Sequence, residues 1–234
     1  MDGDMTFSSF GRDMNLTMEV ICRELFLHNR ESIKIQKEET AVRNLVKILD
    51  AALRLCNERG FASMSLRDLS READLSLGAM YSYFSSKDDL LRLMQGQCRS
   101  MVLRALESGI EGFYDPRMRL RRLIQAHLYS SEILQPWFYM SYMETRSFPK
   151  DEYSLAIEAE LFTEKTLVDI MLEGQASGLF KPVNAGLLGA VTKAMLQDWY
   201  LKRWKYSKRK ITVQNYCDFV LDFIESYLLF TAEA

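Results

Sequence analysis

The chain reads as all-α: a three-helix, helix-turn-helix module near the N-terminus followed by a larger helical body. Three observations predict it. Apolar residues recur at helical spacing through most of the 234 residues, and several helix start signals crowd into residues 60–90. Only four prolines and eleven glycines interrupt the chain, so long helices can run unbroken, and 48% hydrophobic residues supply a substantial core. No convincing pair of strands and no internal repeat is visible.

In chain order, residues 1–15 are small and polar and read as disordered. Met14, Met18, Ile21 and Leu25 then recur at spacings of 4, 3 and 4, the pattern of a short amphipathic helix. This stretch, residues 1–36, reads as a partly disordered extension whose first 33 residues are dispensable for folding. A helix is expected from about Thr40 to Arg59, with Leu45, Ile48, Leu49, Ala52 and Leu55 or Cys56 on one face and Gly60 as its stop.

Ser65 followed by Asp68, and Ser86 by Asp89, are capping-box patterns that open helices. Between them Ser76 opens a short helix after a connection of only Asp74, Leu75 and Ser76. Two short helices joined by so tight a turn form a helix-turn-helix, whose second helix enters the DNA major groove. Beyond it a helix is expected from Ser86 to about Gly112, then a break at Phe113–Arg117, then a helix ended near Pro136. A short helix over 138–148 closes at Pro149. A long helix covers 151–177, and two more cover 184–206 and 212–230, separated by the basic run from Lys205 to Lys210. The division expected is an extension over 1–36, a DNA-binding domain over 37–97 and a helical domain over 98–234.

Gly60-Phe61, Leu66, Leu69, Ala73, Ser76, Gly78, Tyr81, Tyr83-Phe84, Lys87 and Leu90-Leu91, preceded by the helix ending at Arg59, resemble the DNA-binding domain of the tetracycline-repressor (TetR) family. The resemblance covers about residues 40–95; beyond it only the helical architecture matches. Two positions depart from the family pattern. Asp74 stands where a turn glycine is common, and Asp tolerates left-handed backbone angles better than most residues. Leu77 stands where the recognition helix often opens with a basic residue or proline.

At 100° per residue, Met80 and Phe84 share one face with Leu77 and Tyr81, while Gly78, Ala79, Ser82 and Tyr83 fall elsewhere. Met80 and Phe84 are assigned to the core. For Leu77 and Tyr81 the two readings differ: periodicity turns them inward, whereas the resemblance implies that they reach the groove. Leu77 would meet an apolar partner such as a thymine methyl, and Gly78 would let the backbone approach a base edge. Ser76, Ser82 and Tyr83 offer hydroxyls to phosphates, and Ser65 caps its helix, touches phosphate, or both. Arg67 matches a frequent phosphate or guanine contact. Lys87 matches the lysine with which the family grips the DNA backbone. The DNA-contact set expected is thus Ser65, Arg67, Ser76, Leu77, Gly78, Ala79, Tyr81, Ser82, Tyr83 and Lys87.

The resemblance implies that the C-terminal part binds a small-molecule effector and forms a homodimer, which would read a pseudo-palindromic double-stranded operator. Tyr216, Phe219 or Val220, Phe223 and Tyr227 make one stripe; Leu187 or Leu188, Val191, Ala194 or Met195, and Asp198 or Trp199 make another. Two such helices per subunit could form a four-helix seam. Among the dense aromatic and methionine residues, His127, Met140, Met143, Phe162, Met171 and Trp199 are the candidates to line a pocket for an apolar or amphipathic effector.

Other classes recede. A net charge of −2 argues against indiscriminate coating of nucleic acid, and residues 34–100 carry only 11 Lys/Arg against 9 Asp/Glu. No apolar run is long enough for a membrane span. Four scattered cysteines and two histidines offer no zinc pattern and, with no signal-peptide features at the start, lead to the expectation of a cytoplasmic protein. No phosphate loop or nucleophile motif indicates an enzyme or a cofactor. The reading is a sequence-specific transcriptional regulator, most simply a repressor released by its effector. The alternative is a small-molecule binder of the same fold that has lost DNA binding.

Overall fold

A computed structural model describes residues 5–145 and 150–230. Its helices are α1 (Phe7–Met14), α2 (Met18–His28), α3 (Glu38–Arg59), α4 (Leu66–Glu72), α5 (Leu77–Met80), α6 (Lys87–Ile110), α7 (Pro116–Ile133), α8 (Gln135–Met143), α9 (Lys150–Ala176), α10 (Ala185–Leu201), α11 (Arg203–Lys208) and α12 (Val213–Leu228). Among the described residues the nearest thing to a sheet is one antiparallel bridge between Phe180 and Leu229. The chain divides into two compact units. One comprises Asn15–Met101 and Pro136–Ala156; the other comprises the residues up to Met14, Val102–Gln135 and Ile157 onward.

The first unit contains the helix-turn-helix. Thr17 caps α2 by accepting from the Val20 N–H, and Ile21, Cys22, Leu25 and Phe26 are fully buried. They pack on α3, whose inner face buries Ala41, Val42, Leu45, Ile48, Leu49 and Ala52. Each large apolar side chain so buried contributes roughly 1.5–3 kcal/mol. Ile21 and Leu25 of the expected stripe therefore belong to the core of the DNA-reading unit, with Met18 half-buried, which runs against the expectation that residues 1–33 are dispensable. Gly60 ends α3 with φ of +81°, a left-handed angle that glycine adopts without a steric penalty. The expected short helix after Pro136 is present, but it includes Pro136 and ends at Met143. The expected stop at Pro149 lies outside the described residues.

In the second unit α7 is the most enclosed helix: every residue from Leu123 to Ser131 is buried. Pro116 occupies its first turn and Asp115 caps it, accepting from the Met118 N–H at 2.8 Å. A proline at that position gives up no helical hydrogen bond. Around α7 lie Leu167, Ile170 and Met171 of α9, Leu188, Leu196 and Trp199 of α10, and Val220, Leu221, Ile224 and Leu228 of α12. Gly174 gives Phe180 its place: a Cβ on it would come within 2.0 Å of the phenyl ring. The stretch read as one helix over 184–206 breaks at Lys202, which has φ of −120° and separates α10 from α11.

Residues 7–14, expected to be disordered, form α1. Phe10 is 3% exposed in the core of the second unit, and its ring lies 5.8 Å from that of Tyr129. The Tyr129 hydroxyl reaches the Met5 carbonyl at 3.3 Å and Gln214 Oε1 at 2.9 Å, and Gln214 Oε1 also accepts from the Phe7 N–H at 3.3 Å. A segment whose composition is polar is thus fixed by one aromatic anchor and a small hydrogen-bond network.

Candidate nucleic-acid interface

The geometry of the reader arises from three caps and one strained turn. Ser65 Oγ accepts from the Asp68 N–H at 3.1 Å while Asp68 Oδ2 accepts from the Ser65 N–H at 3.1 Å, a complete capping box. Hydrogen bonds from the Ser65 hydroxyl and N–H, aided by Arg59 and Arg71, hold the Asp68 carboxyl below its ordinary pKa. At the far end of α4 the chain reverses through Asp74, whose φ is +52°. Departure from the family's glycine is tolerated here because an Asp can occupy the left-handed region. The Leu75 N–H returns to the Ser70 carbonyl at 3.0 Å, and Ser76 Oγ caps α5 by accepting from the Ala79 N–H at 3.1 Å. Leu69 and Met80, both fully buried, pin the two helices together.

The next helix starts as expected at Ser86, whose hydroxyl accepts from the Asp89 N–H at 3.1 Å. The reciprocal half of the box is displaced by one residue: Asp89 accepts from the N–H of Ser85, not Ser86, at 3.1 Å.

Two helices at this spacing, with the second entering end-on from a serine cap, are a DNA-reading motif, and residues 48–94 match the domain "Bacterial regulatory proteins, tetR family". These residues match a TetR-family DNA-binding domain. The chain is 26% identical over 182 residues to the HTH-type transcriptional regulator HbdR of Aromatoleum sp. strain CIB, covering 78% of this chain and 80% of that one. Among solved structures it is similar to PfmR, a TetR-family regulator from Thermus thermophilus. That likeness has a TM-score of 0.68 at 26% identity and covers 76% of this chain and 96% of that one. The ketosteroid regulator KstR2 of Mycobacterium tuberculosis shares the fold, with a TM-score of 0.72 at 17% identity, over 86% of this chain and 99% of that one. With that domain and these relatives, the chain is a DNA-binding transcriptional regulator with a helical C-terminal body.

In this TetR-type reader the ten expected contact residues do not share one environment. Ser65, Arg67, Ser76, Gly78 and Tyr81 are exposed, and Leu77, Ala79, Ser82 and Lys87 are half-buried. Arg67 lines an open groove with Ser70, Arg71, Asp74, Leu75 and Ser76. Tyr81 is 45% exposed, so the choice that periodicity and resemblance left open falls to the outward side for this residue. Tyr83 is the correction: it is 1% exposed, and its hydroxyl lies inside the unit beside Asn44 without meeting hydrogen-bond geometry. The physical reason is that α5 ends at Met80 and residues 81–83 are turn. The helical spacing that sets Tyr83 apart from Met80 and Phe84 therefore does not apply to it. Burial raises the pKa of the Tyr83 phenol. Met80 and Phe84 are buried as expected.

Lys87 is engaged within the protein. Its Nζ donates to the Ala62 carbonyl at 3.0 Å and sits 4.5 Å above the Phe61 ring. An ammonium has three N–H donors, so this contact leaves donors available for a phosphate while fixing where the charge stands. Sequence reasoning missed one contributor: Glu144, far downstream, which supports the same loop through the Phe61 N–H.

Of the six pocket candidates, Met140 and Met143 belong to the unit that holds the reader, and the other four to the second unit. Met143 and Phe162 are 52% and 39% exposed. Trp199 is fully buried, its Nε1 donates to Glu132 at 3.0 Å, and it stacks on Tyr206 at 4.9 Å. His127 is 1% exposed with its Nε2 3.2 Å from Lys193 Nζ. Burial, and then the neighbouring ammonium, hold its pKa well below the ordinary imidazole value. Lys193 in turn reaches Glu160 at 3.3 Å.

Proposed function

We propose that this regulator is a homodimeric repressor that reads a pseudo-palindromic operator and is released by an amphipathic small molecule. The observation that carries the dimer is the outer face of the second unit. On α12 Phe219, Phe223 and Tyr227 are 65%, 50% and 56% exposed, and on α10 Leu187 and Val191 are 66% and 51% exposed. Val220, Ile224 and Leu228 face inward on the same α12 helix. The two helices are tied by the Tyr216 hydroxyl donating to the Met195 carbonyl at 2.8 Å. Apolar side chains at helical spacing on two packed helices fit a second copy of the same surface, and a two-fold dimer supplies two readers for two half-sites.

Support for an amphipathic effector comes from the second unit's interior, where the buried His127 and Lys193, with Glu160, set polar groups within a helical core. The direct contacts assigned to DNA are Ser65, Arg67, Ser76, Leu77, Gly78, Ala79, Tyr81, Ser82 and Lys87, with Tyr83 supporting them from inside. Sedimentation velocity at micromolar concentration should give twice the 27.2 kDa chain mass, and Phe223→Arg should give the monomer. A wild-type monomer that binds DNA one chain per site would sink the dimer reading. A wild type that enriches no duplex from a randomised pool would favour the binder that has lost DNA recognition.

A further inference from the structure

We propose that Lys34, in the α2–α3 connection, is an additional DNA-backbone contact, held at the reader by a main-chain hydrogen bond to the recognition segment. The Lys34 N–H donates to the Ser82 carbonyl at 2.9 Å, joining a residue before α3 to the turn after α5. The preceding residue, Ile33, is 2% exposed and anchors this stretch of chain from below. The connection is closed at its start by the Asn29 side chain, which donates to the Leu25 carbonyl at 2.8 Å, and by the Ile33 N–H donating to the Asn29 carbonyl at 3.0 Å. Arg30 closes it further, donating to the Gln36 carbonyl at 3.2 Å with its guanidinium 4.9 Å from the Phe26 ring.

The three cations of this connection have different settings. Arg30 is committed to the fold, and Lys37 lies 3.8 Å from Glu39. Lys34 is exposed and carries an ammonium on a flexible four-carbon stem, rooted beside Ser82, which adjoins the exposed Tyr81. A cation so placed moves with the recognition segment wherever it docks, and the chemistry that meets an ammonium beside a major-groove reader is a phosphate oxygen. The reader's near-balanced charge gives one extra phosphate contact per protomer unusual weight. The segment lies outside residues 48–94, which match the family's DNA-binding domain.

This inference rests on the DNA-binding reading, and the test separates the two. A duplex enriched by the wild-type protein from a randomised pool serves as probe, and its affinity is measured by fluorescence anisotropy across a potassium chloride series. Lys34→Ala leaves the main-chain bond in place and removes only the ammonium, so its melting temperature should match the wild type. The expected result is a loss of affinity of ~3–10-fold, an unchanged selected consensus, and a salt slope shallower by ~0.9 per protomer. Lys34→Arg should restore the slope, and Lys208→Ala, an exposed change in the second unit, should leave it alone. A slope and affinity equal to wild type for Lys34→Ala would overturn this inference while DNA binding stands. So would a changed consensus, which would indicate a base contact. Failure of the wild type to enrich any duplex would remove both.

Discussion

Glu144 accepts a hydrogen bond from the Phe61 backbone N–H at 2.8 Å, bridging 83 residues of sequence within the unit that reads DNA. The acceptor is 8% exposed, and the loop it holds also carries Ala62, the anchor of Lys87. A residue of the C-terminal half of the sequence therefore sets the position of a cation at the reader. Replacing Glu144 with Leu leaves a buried N–H without an acceptor, which costs about 1–3 kcal/mol, whereas Gln keeps the acceptor. Chemical denaturation should rank wild type and Glu144→Gln close together and Glu144→Leu clearly below. Equal stability for Gln and Leu would show that the bond contributes nothing.

The turn of the motif makes a second prediction. Asp74 sits at φ of +52°, and its ion pair with Lys47, at 3.7 Å and largely exposed, adds little. Asp74→Gly should change stability by less than about 1 kcal/mol in either direction. Asp74→Val, β-branched in a left-handed conformation, should cost about 1–2 kcal/mol or more. Urea midpoints for the two variants decide it: equal midpoints would mean that the turn does not hold residue 74 in the left-handed region.

Removing the aromatic anchor of α1 should be costly. Phe10 is buried in the same core as Leu123, Ile124 and Tyr129, and truncation of such a phenyl ring costs about 3–5 kcal/mol. Phe10→Ala should lower the melting temperature by several degrees, and a chain beginning at Ile33 should lose more, because it also strips Ile21, Cys22, Leu25 and Phe26 from α3. A melting temperature within a degree or two for the truncated chain would restore the view of a dispensable extension.

These cases mark what the residues disclosed and what they did not. The caps at Ser65, Ser76 and Ser86 lie within four residues of their partners, so spacing alone located α4, α5 and α6. Asp74 in the turn was legible for the same reason. Phe10 was not, because a single aromatic in a polar segment has no periodicity; its burial depends on Tyr129 and Gln214, more than a hundred residues away. Tyr83 failed differently. The helix it was placed on ends three residues earlier, and no residue near Met80 signals that stop. Glu144 carries no local sign of its partner, since its contact with Phe61 exists only once α8 has packed in the reader's unit. Composition makes Trp199 a candidate to line a pocket but says nothing of its partners, Glu132 and Tyr206, which lie far away in sequence or around a helix break.

Acid stability should expose the corner where α10 meets α11. Burial alone would raise the Asp198 pKa, but hydrogen bonds from Lys202, Lys205 and Tyr206 outweigh it and bring the carboxyl from 3.8 down to about 2. A carboxyl whose folded pKa lies below its unfolded one contributes stability above the unfolded value and loses it as pH falls toward the folded one. The wild type should therefore lose stability relative to Asp198→Asn between about pH 4 and pH 2, and the difference between the two should be constant at neutral pH. Parallel curves through the acid range would mean that the carboxylate is not held in this way.

Leu77 and Lys87 should differ in kind, not only in size of effect. Leu77 is the first residue of α5, where a recognition helix presents its leading side chains to base edges, and it is apolar, so its available partner in the groove is a thymine methyl. Lys87 stands outside α5 at the start of α6, with its ammonium positioned by Ala62 and Phe61, where phosphates are the accessible acceptors. Phosphates are the same on every sequence. Lys87→Ala should therefore weaken binding by a similar factor, ~10-fold, on every duplex tested and reduce the salt slope by about one per protomer. Leu77→Ala should leave the salt slope intact and relax preference at one or two positions in each half-site, at about 1–3 kcal/mol per position. Binding-site selection with each variant, followed by a salt series on the selected duplex, reads both quantities. A consensus that shifts for Lys87→Ala and holds for Leu77→Ala would reverse the two roles and place the lysine in the groove.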